Sequence, residues 1–194
     1  MKKKDFKSSV RNYLLNYDWK IFTKLIAFIG FLLLLELDQL TKFWARTNLT
    51  QDIEKNFIPG FINLKFVINF GSAFGFNQNK TAILVTVAFI IAFVLLFWWI
   101  VSRSITNITA VTFMLAGTIG NLIDRFISNG GVIDFLKWDM FEPRTIFNVA
   151  DIMVTIGIII VVHLIVEGIT MVVYEKKEKK VQHKKSHAKE RKAI

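Results

Sequence analysis

Asp38, Asn69, Asn121, Asp124, Asp134, Asn148 and Asp151 interrupt a 194-residue chain that is 53% hydrophobic and contains no cysteine. Without cysteine there is no disulfide, no thiolate nucleophile and no Cys-ligated metal. His163 lies 12 residues beyond Asp151, about 18 Å along a helix, so it is expected to be a hydrogen-bonded core histidine remote from these acids. His183 and His187 fall in a lysine-rich tail and are expected to be solvated. A histidine-rich zinc site is therefore not expected, and neither is any other metal or cofactor. Ser72 and Ser128 have no lysine at helical spacing, which leaves a serine–lysine dyad without its base. Water activation by paired carboxylates is the chemistry that remains: two neighbouring acids cannot both ionise easily, so one keeps a proton while the other activates water.

The acids differ in their neighbours. Asp38 precedes Lys42 by one helical turn, the order that favours an ion pair and a supporting role at a helix end. Asp124 is followed directly by Arg125, and a guanidinium beside a carboxylate favours its charged form, which points to positioning. Asp134 sits among Val132, Ile133 and Phe135, where desolvation should raise its pKa. Asp151 opens a long apolar helix, but Asn148 is the natural cap and should leave Asp151 free to point elsewhere. Asp134 and Asp151 are thus the best-matched pair. They are 17 residues apart and meet only if the intervening loop folds back.

The elements that would position these residues are membrane spans. Thr81–Val101 is 21 residues without a charge, closed by Phe97-Trp98-Trp99 and then Arg103. Residues 104–123 form a second uncharged run whose glycines, threonines and asparagines suit a helix packed among others, with room for a groove. Residues 152–174 and 21–40 complete four expected spans, the last with an uncharged centre at Leu25–Leu35. The first span could be a cleaved secretory signal, but it runs into Glu36-Leu37-Asp38-Gln39 instead of a small-residue cleavage site.

Charge sets the orientation. The formal net charge is +10, yet residues 1–24 carry +5 and residues 175–194 carry +6, leaving −1 for the body. A basic soluble domain is excluded. The two basic ends should lie in the cytoplasm against anionic lipid headgroups, with no nucleic-acid partner required. The expected layout is a basic cytoplasmic segment at 1–20, a four-span domain at 21–174 and a disordered basic tail at 175–194. Residues 41–80 and 124–150 become two outer loops, where nearly all the polar residues collect. Phe61–Asn69 in the first of them is rich in β-branched and aromatic residues, which predicts a short strand or sheet able to hold an extended peptide. The fold class is an all-α membrane protein: a four-transmembrane-helix bundle with a small β-containing extracytoplasmic platform in the first outer loop.

Five stretches in order, Asp38-Gln39-Leu40-Thr41-Lys42, Asn69-Phe70-Gly71-Ser72-Ala73-Phe74, Gly120-Asn121-Leu122-Ile123-Asp124-Arg125, Val132-Ile133-Asp134-Phe135 and Phe147-Asn148-Val149-Ala150-Asp151, resemble the lipoprotein signal peptidases (signal peptidase II), bacterial membrane aspartic peptidases. The resemblance covers about residues 20–170. It implies removal of signal peptides from prolipoproteins just before a diacylglyceryl-modified cysteine, in the bacterial cytoplasmic membrane, by a monomer with its active site near the outer face. It places the catalytic aspartates at Asp134 and Asp151. Asn69, Gly71, Asn121, Arg125 and Asn148 match positions that orient the dyad and substrate, and Asp38, Lys42 and Asp124 match supporting ones. Ala116-Gly117 replaces a common Gly-Gly pair, and Thr145 stands where a proline often precedes the Phe-Asn motif, which implies a different loop path into the last span. The competing reading is a non-enzymatic four-span protein such as a small transporter or channel subunit. Transport usually places polar residues near the midplane, and here only His163 and Asn107 are candidates for that depth.

Overall fold

The computed structural model describes residues 3–71, 81–140, 142 and 144–190, with side chains described for 21–71, 82–140, 142 and 144–180. Ser72, Ala73, Phe74 and Pro143, and the side chains of His183 and His187, lie outside that set. The chain divides into two units, residues 1–158 and 159–194.

In the first unit, α1 (Lys3–Asn48) leads to β1 (Glu54–Ile58) and β2 (Ile62–Asn69). Next come α2 (Thr81–Val101), α3 (Ile105–Ile127), β3 (Val132–Trp138), β4 (Ile146–Phe147) and the start of α4 (Val149–Glu190). α2 is apolar all round and leaves Phe89, Ile90, Phe93 and Phe97 exposed, as a lipid-facing helix does. α3 is the most enclosed of the helices because its small residues admit close neighbours. A Cβ on Gly117 would stand 2.3 Å from the Ala150 carbonyl, and one on Gly120 would stand 2.4 Å from Asp38 Oδ2. The small residues expected to leave a groove at 117 and 120 instead seat α4 and α1. Their backbone approach is what brings Asp38 and the α4 N-terminus to the same level of α3.

Among the described residues, three helices are long and apolar enough to cross a membrane: Ala82–Val101, Ile105–Ile127 and Val149–Lys180. The stretch 21–40 is helical within α1, but Lys24, Glu36 and Asp38 keep it outside that group of three.

The sheet is larger than the sequence suggests. Its four antiparallel strands run in the order β1-β2-β3-β4, so each of the two inter-helix loops supplies half. The expected strand at Phe61–Asn69 is β2, but its partner across the loops is β3, with Val67 opposite Asp134 and Asn69 opposite Val132. Successive strand side chains alternate between faces. Ile133 and Phe135 therefore pack with Leu64, Phe66 and Ala45 in one buried cluster, while Asp134 points the other way. α3 ends at Ser128, and the positive φ of Asn129 (52°) and Gly130 (97°) turns the chain directly into β3. β4 pairs Phe147 with Leu136. This pairing delivers Asn148 beside Asp134.

In the second unit the helical run continues to Glu190, where the charge pattern leads one to expect an unstructured tail. Glu175 and Lys179 are spaced i,i+4 with the acid first, an arrangement that supports a helix. His163 is a surface residue, 67% exposed and 3.5 Å from Glu167, so the expectation of a core histidine is corrected.

Candidate active site

Asp134 is 3% exposed on the inner face of β3, and it has no cation among its hydrogen-bond partners. Its Oδ2 accepts from Asn69 Nδ2 at 2.9 Å and its Oδ1 from Asn148 Nδ2 at 2.7 Å. Burial, reinforced by the negative charge of Asp151, pushes its carboxyl up to about 7 despite these donors.

Asp151 is the third residue of α4. Its Oδ1 accepts from Asn121 Nδ2 at 2.9 Å and its Oδ2 from the Asn148 backbone N–H at 3.1 Å. Asn148 Oδ1 in turn accepts from the Asp151 N–H at 3.0 Å, closing a reciprocal capping box. Asn148 is the cap, as its residue type predicts, but it does not release Asp151. One carboxylate oxygen is committed to the cap and the other is held by Asn121.

Asn148 joins the two acids. Fully buried, it offers Nδ2 to Asp134 Oδ1, to the Ile133 carbonyl at 3.1 Å and to Asn121 Oδ1 at 3.1 Å, while its backbone N–H serves Asp151. The orientation of each amide is fixed from behind. Asn69 Oδ1 accepts from the Gly71 N–H at 2.9 Å, so its Nδ2 must face Asp134. Asn121 Oδ1 accepts from Lys42 Nζ at 3.0 Å, so its Nδ2 must face Asp151.

Lys42 belongs to a second cluster. Only 1% exposed, it pairs with Asp38 Oδ2 at 2.8 Å and Asp124 Oδ2 at 2.9 Å and donates to Asn121 as well. The Asp38–Lys42 pair is the one the spacing predicts. Asp124 does not pair with Arg125 among the described ion pairs; adjacent helical residues diverge, and Asp124 turns to Lys42 and to the Ile133 N–H at 3.0 Å. Asp38 Oδ1 accepts from the Ala150 N–H at 2.9 Å, and Gln39 Nε2 braces Asp38 Oδ2 at 3.1 Å. This cluster thus ties α1, α3, β3 and α4 together. The Ala150 contact has no sequence signal beyond the small residues at 117 and 120, because it runs through a backbone amide.

Arg125 donates from Nη1 to the Asn121 carbonyl at 3.2 Å, and its buried Nε has no hydrogen-bond partner among the described residues. At the far side of the sheet, Lys137 and Asn63 both bind Glu54, Asn63 at 2.8 Å, and the Lys137 hydrogen bond holds the Glu54 carboxyl below its ordinary range. That network staples β1, β2 and β3. Among the described residues no cluster of three metal-ligating side chains is present. The arrangement offers two adjacent carboxyl groups, one of them holding a proton near neutral pH, which is the equipment for water activation.

Residues 30–167 match the family described as signal peptidase (SPase) II. The lipoprotein signal peptidase of Caldanaerobacter subterraneus subsp. tengcongensis is 36% identical over 144 residues, covering 73% of this chain and 93% of that one. That of Enterococcus faecalis is 36% identical over 138 residues, covering 70% and 84%. A solved structure described as a bacterial membrane enzyme superposes with a TM-score of 0.68 at 28% identity, over 73% of this chain and 88% of the other.

Proposed function

The chain belongs to the signal peptidase II family, and from that premise we propose how its own residues perform the family's reaction. It is a membrane peptidase that removes signal peptides from prolipoproteins. Asp134 and Asp151 act as the catalytic dyad. The observation that carries this assignment is the pair of acids bridged by Asn148, with Asp134 buried and pushed to about 7. Asp134 holds the proton and donates it toward the oxygen of the scissile carbonyl. Asp151, supported by Asn121 and the α4 N-terminus, takes a proton from the attacking water. The water oxygen bonds to the carbonyl carbon. Collapse of the tetrahedral intermediate breaks the C–N bond, the proton taken from water passes from Asp151 to the leaving amine, and the hydroxyl proton returns to Asp134.

The scissile bond is the one before the diacylglyceryl-modified cysteine. Asn69, Gly71 and Arg125 orient the substrate backbone, and the partnerless Nε of Arg125 is suited to a peptide carbonyl. The four-stranded sheet serves as the platform for the extended segment. Asp38, Lys42 and Asp124 support the site and do not touch substrate. The chain works as a monomer in the bacterial cytoplasmic membrane. Residues 21–40 of α1 form a fourth span, tolerated because Asp38 is paired with Lys42. Both basic ends lie in the cytoplasm and the dyad lies near the outer face, at the depth of a cysteine anchored by its lipid.

The test is incubation of the purified protein with a diacylglyceryl-modified prolipoprotein, followed by detection of the shortened product. Asp134→Asn and Asp151→Asn should each abolish product, about a 10³-fold loss, with unfolding temperature and elution unchanged. Retained cleavage in either variant overturns the dyad. A non-enzymatic transporter or channel subunit, which the family membership disfavours, would give no product even from the unaltered chain.

A further inference from the structure

A cavity of about 350 Å³ lies between α1, α2 and α3, lined by Phe28, Phe31, Ala92, Leu96, Trp99 and Leu115 among others. This is within the size range of small-ligand pockets. It is separate from the dyad. Thr112, Leu115 and Ile119 of α3 face it, whereas Gly117 faces Ala150 and Asn121 faces Asp151. Two residues along a helix is a turn of about 200°, so the two stripes lie on opposite sides of α3. The cavity's few polar atoms are already satisfied: Trp99 Nε1 donates to Thr112 Oγ1 at 3.0 Å, and Thr112 donates to the Ile108 carbonyl at 2.7 Å. Its interior therefore suits hydrocarbon.

One end of the cavity is marked by a cation. Lys24 is one helical turn before Phe28 on α1, its Nζ lies 5.7 Å from the Trp99 ring centroid, and it donates to the Ile100 carbonyl at the end of α2. None of the ion pairs among the described residues includes Lys24. Exposed Arg103 follows within one turn of Ile100. The α2 C-terminus offsets only about half a charge, so this end keeps a positive field. It is the end at which Lys20 and Arg103 fall, opposite to the dyad along the helices.

We propose that this cavity is a binding site for one anionic phospholipid, its acyl chain lying along α2 between Phe89 and Trp99 and its phosphate meeting Lys24. The separation of those residues, about 15 Å on a helix, takes a substantial part of a single chain. A zwitterionic lipid fills the same hydrocarbon space without the net charge that Lys24 selects. The site holds a resident lipid and not the substrate, whose scissile bond is handled on the other side of α3.

The test uses the full chain in detergent, equilibrated with equal amounts of phosphatidylglycerol and phosphatidylcholine of identical acyl chains at 0.5 M salt, and native mass spectrometry to count retained lipid. High salt shortens the screening length to a few ångströms and strips lipid held only by the exposed basic ends. The expected result is one retained phosphatidylglycerol per chain. Lys24→Gln should lower its occupancy about fivefold relative to phosphatidylcholine, the effect of one headgroup-contacting lysine. A loss of that size from one of 25 basic residues cannot come from general attraction. Leu96→Trp, which fills the cavity from its exposed rim, should lower retention of both lipids. Equal retention in the unaltered chain and Lys24→Gln overturns the proposal, as does a Leu96→Trp protein that keeps its lipid. If Leu96→Trp does not fold, the Lys24→Gln comparison decides alone.

Discussion

Two pairs of carboxylates lie within a few residues of one another, and they are handled in opposite ways. Asp38 and Asp124 share a buried ammonium, Lys42, with every contact at 2.9 Å or less. Asp134 and Asp151 share an amide, Asn148, and among the described residues accept only N–H groups of asparagines and backbone. Burial does not separate Asp134 from the first pair, since Asp38, Asp124 and Asp134 are all 3% exposed or less, while Asp151 is half-buried. Burial alone therefore does not make an acid reactive. A cation between two acids compensates their charge and turns them into a fixed joint. Neutral donors orient the acids without supplying a compensating charge, and burial, reinforced by the negative charge of Asp151, raises the Asp134 carboxyl. One buried residue belongs to both clusters: Lys42 fixes the amide of Asn121, and Asn121 fixes Asp151.

The largest expected effect breaks the first pair. Lys42→Met leaves Asp38 and Asp124 buried together without their cation and should cost about 3–5 kcal/mol, read as a lowered unfolding temperature in detergent. Adding Asp124→Asn to that variant should recover part of the loss. A Lys42→Met protein with unchanged stability would show that the cation does not hold the joint. A smaller loss, about 1–3 kcal/mol, is expected for Gly120→Ala, whose new methyl would stand 2.4 Å from Asp38 Oδ2. Calorimetry of the purified variant gives the value.

The second pair is probed more gently. Asn69→Ala removes a donor that lowers the Asp134 carboxyl, so the alkaline limb of the cleavage rate should move upward in pH. The rate at its optimum should fall about tenfold, the worth of one charge-assisted hydrogen bond. An unmoved limb would mean that Asp134 is not the titrating acid.

Much of the site is legible in the amino-acid sequence, for local reasons. Asp38 and Lys42 are one turn apart, and their pairing follows from helical spacing. The uncharged run at Thr81–Val101 coincides with α2. Asp134 stands out because β-favouring apolar residues surround it, and β3 is indeed a strand. Contacts set by tertiary approach are not legible in the same way. Arg125 is Asp124's neighbour in sequence, yet Lys42, 82 positions away, is its partner in space. The sheet needs strands from two loops separated by α2 and α3, and alternation within one loop carries no sign of the other. Asp151's commitment to the cap is concealed because a cap motif names the capping residue without saying whether the third residue reciprocates.

The pair with no cation among its described hydrogen-bond partners is proposed to keep a proton, held by Asp134. In the folded chain Asp134 releases it near 7, against 3.8 for an ordinary aspartate. The native state therefore binds more protons than the unfolded chain between those values, and this group's contribution makes stability fall as pH rises from about 4 to about 7. Infrared difference spectroscopy of the purified protein across that range tests the claim most directly. The expected result is a protonated-carboxyl band that disappears near pH 7, is absent in Asp134→Asn, and titrates lower in Asp151→Asn, where the neighbouring negative charge is gone. A band that survives in Asp134→Asn, or no carboxyl titrating near neutrality, would contradict it.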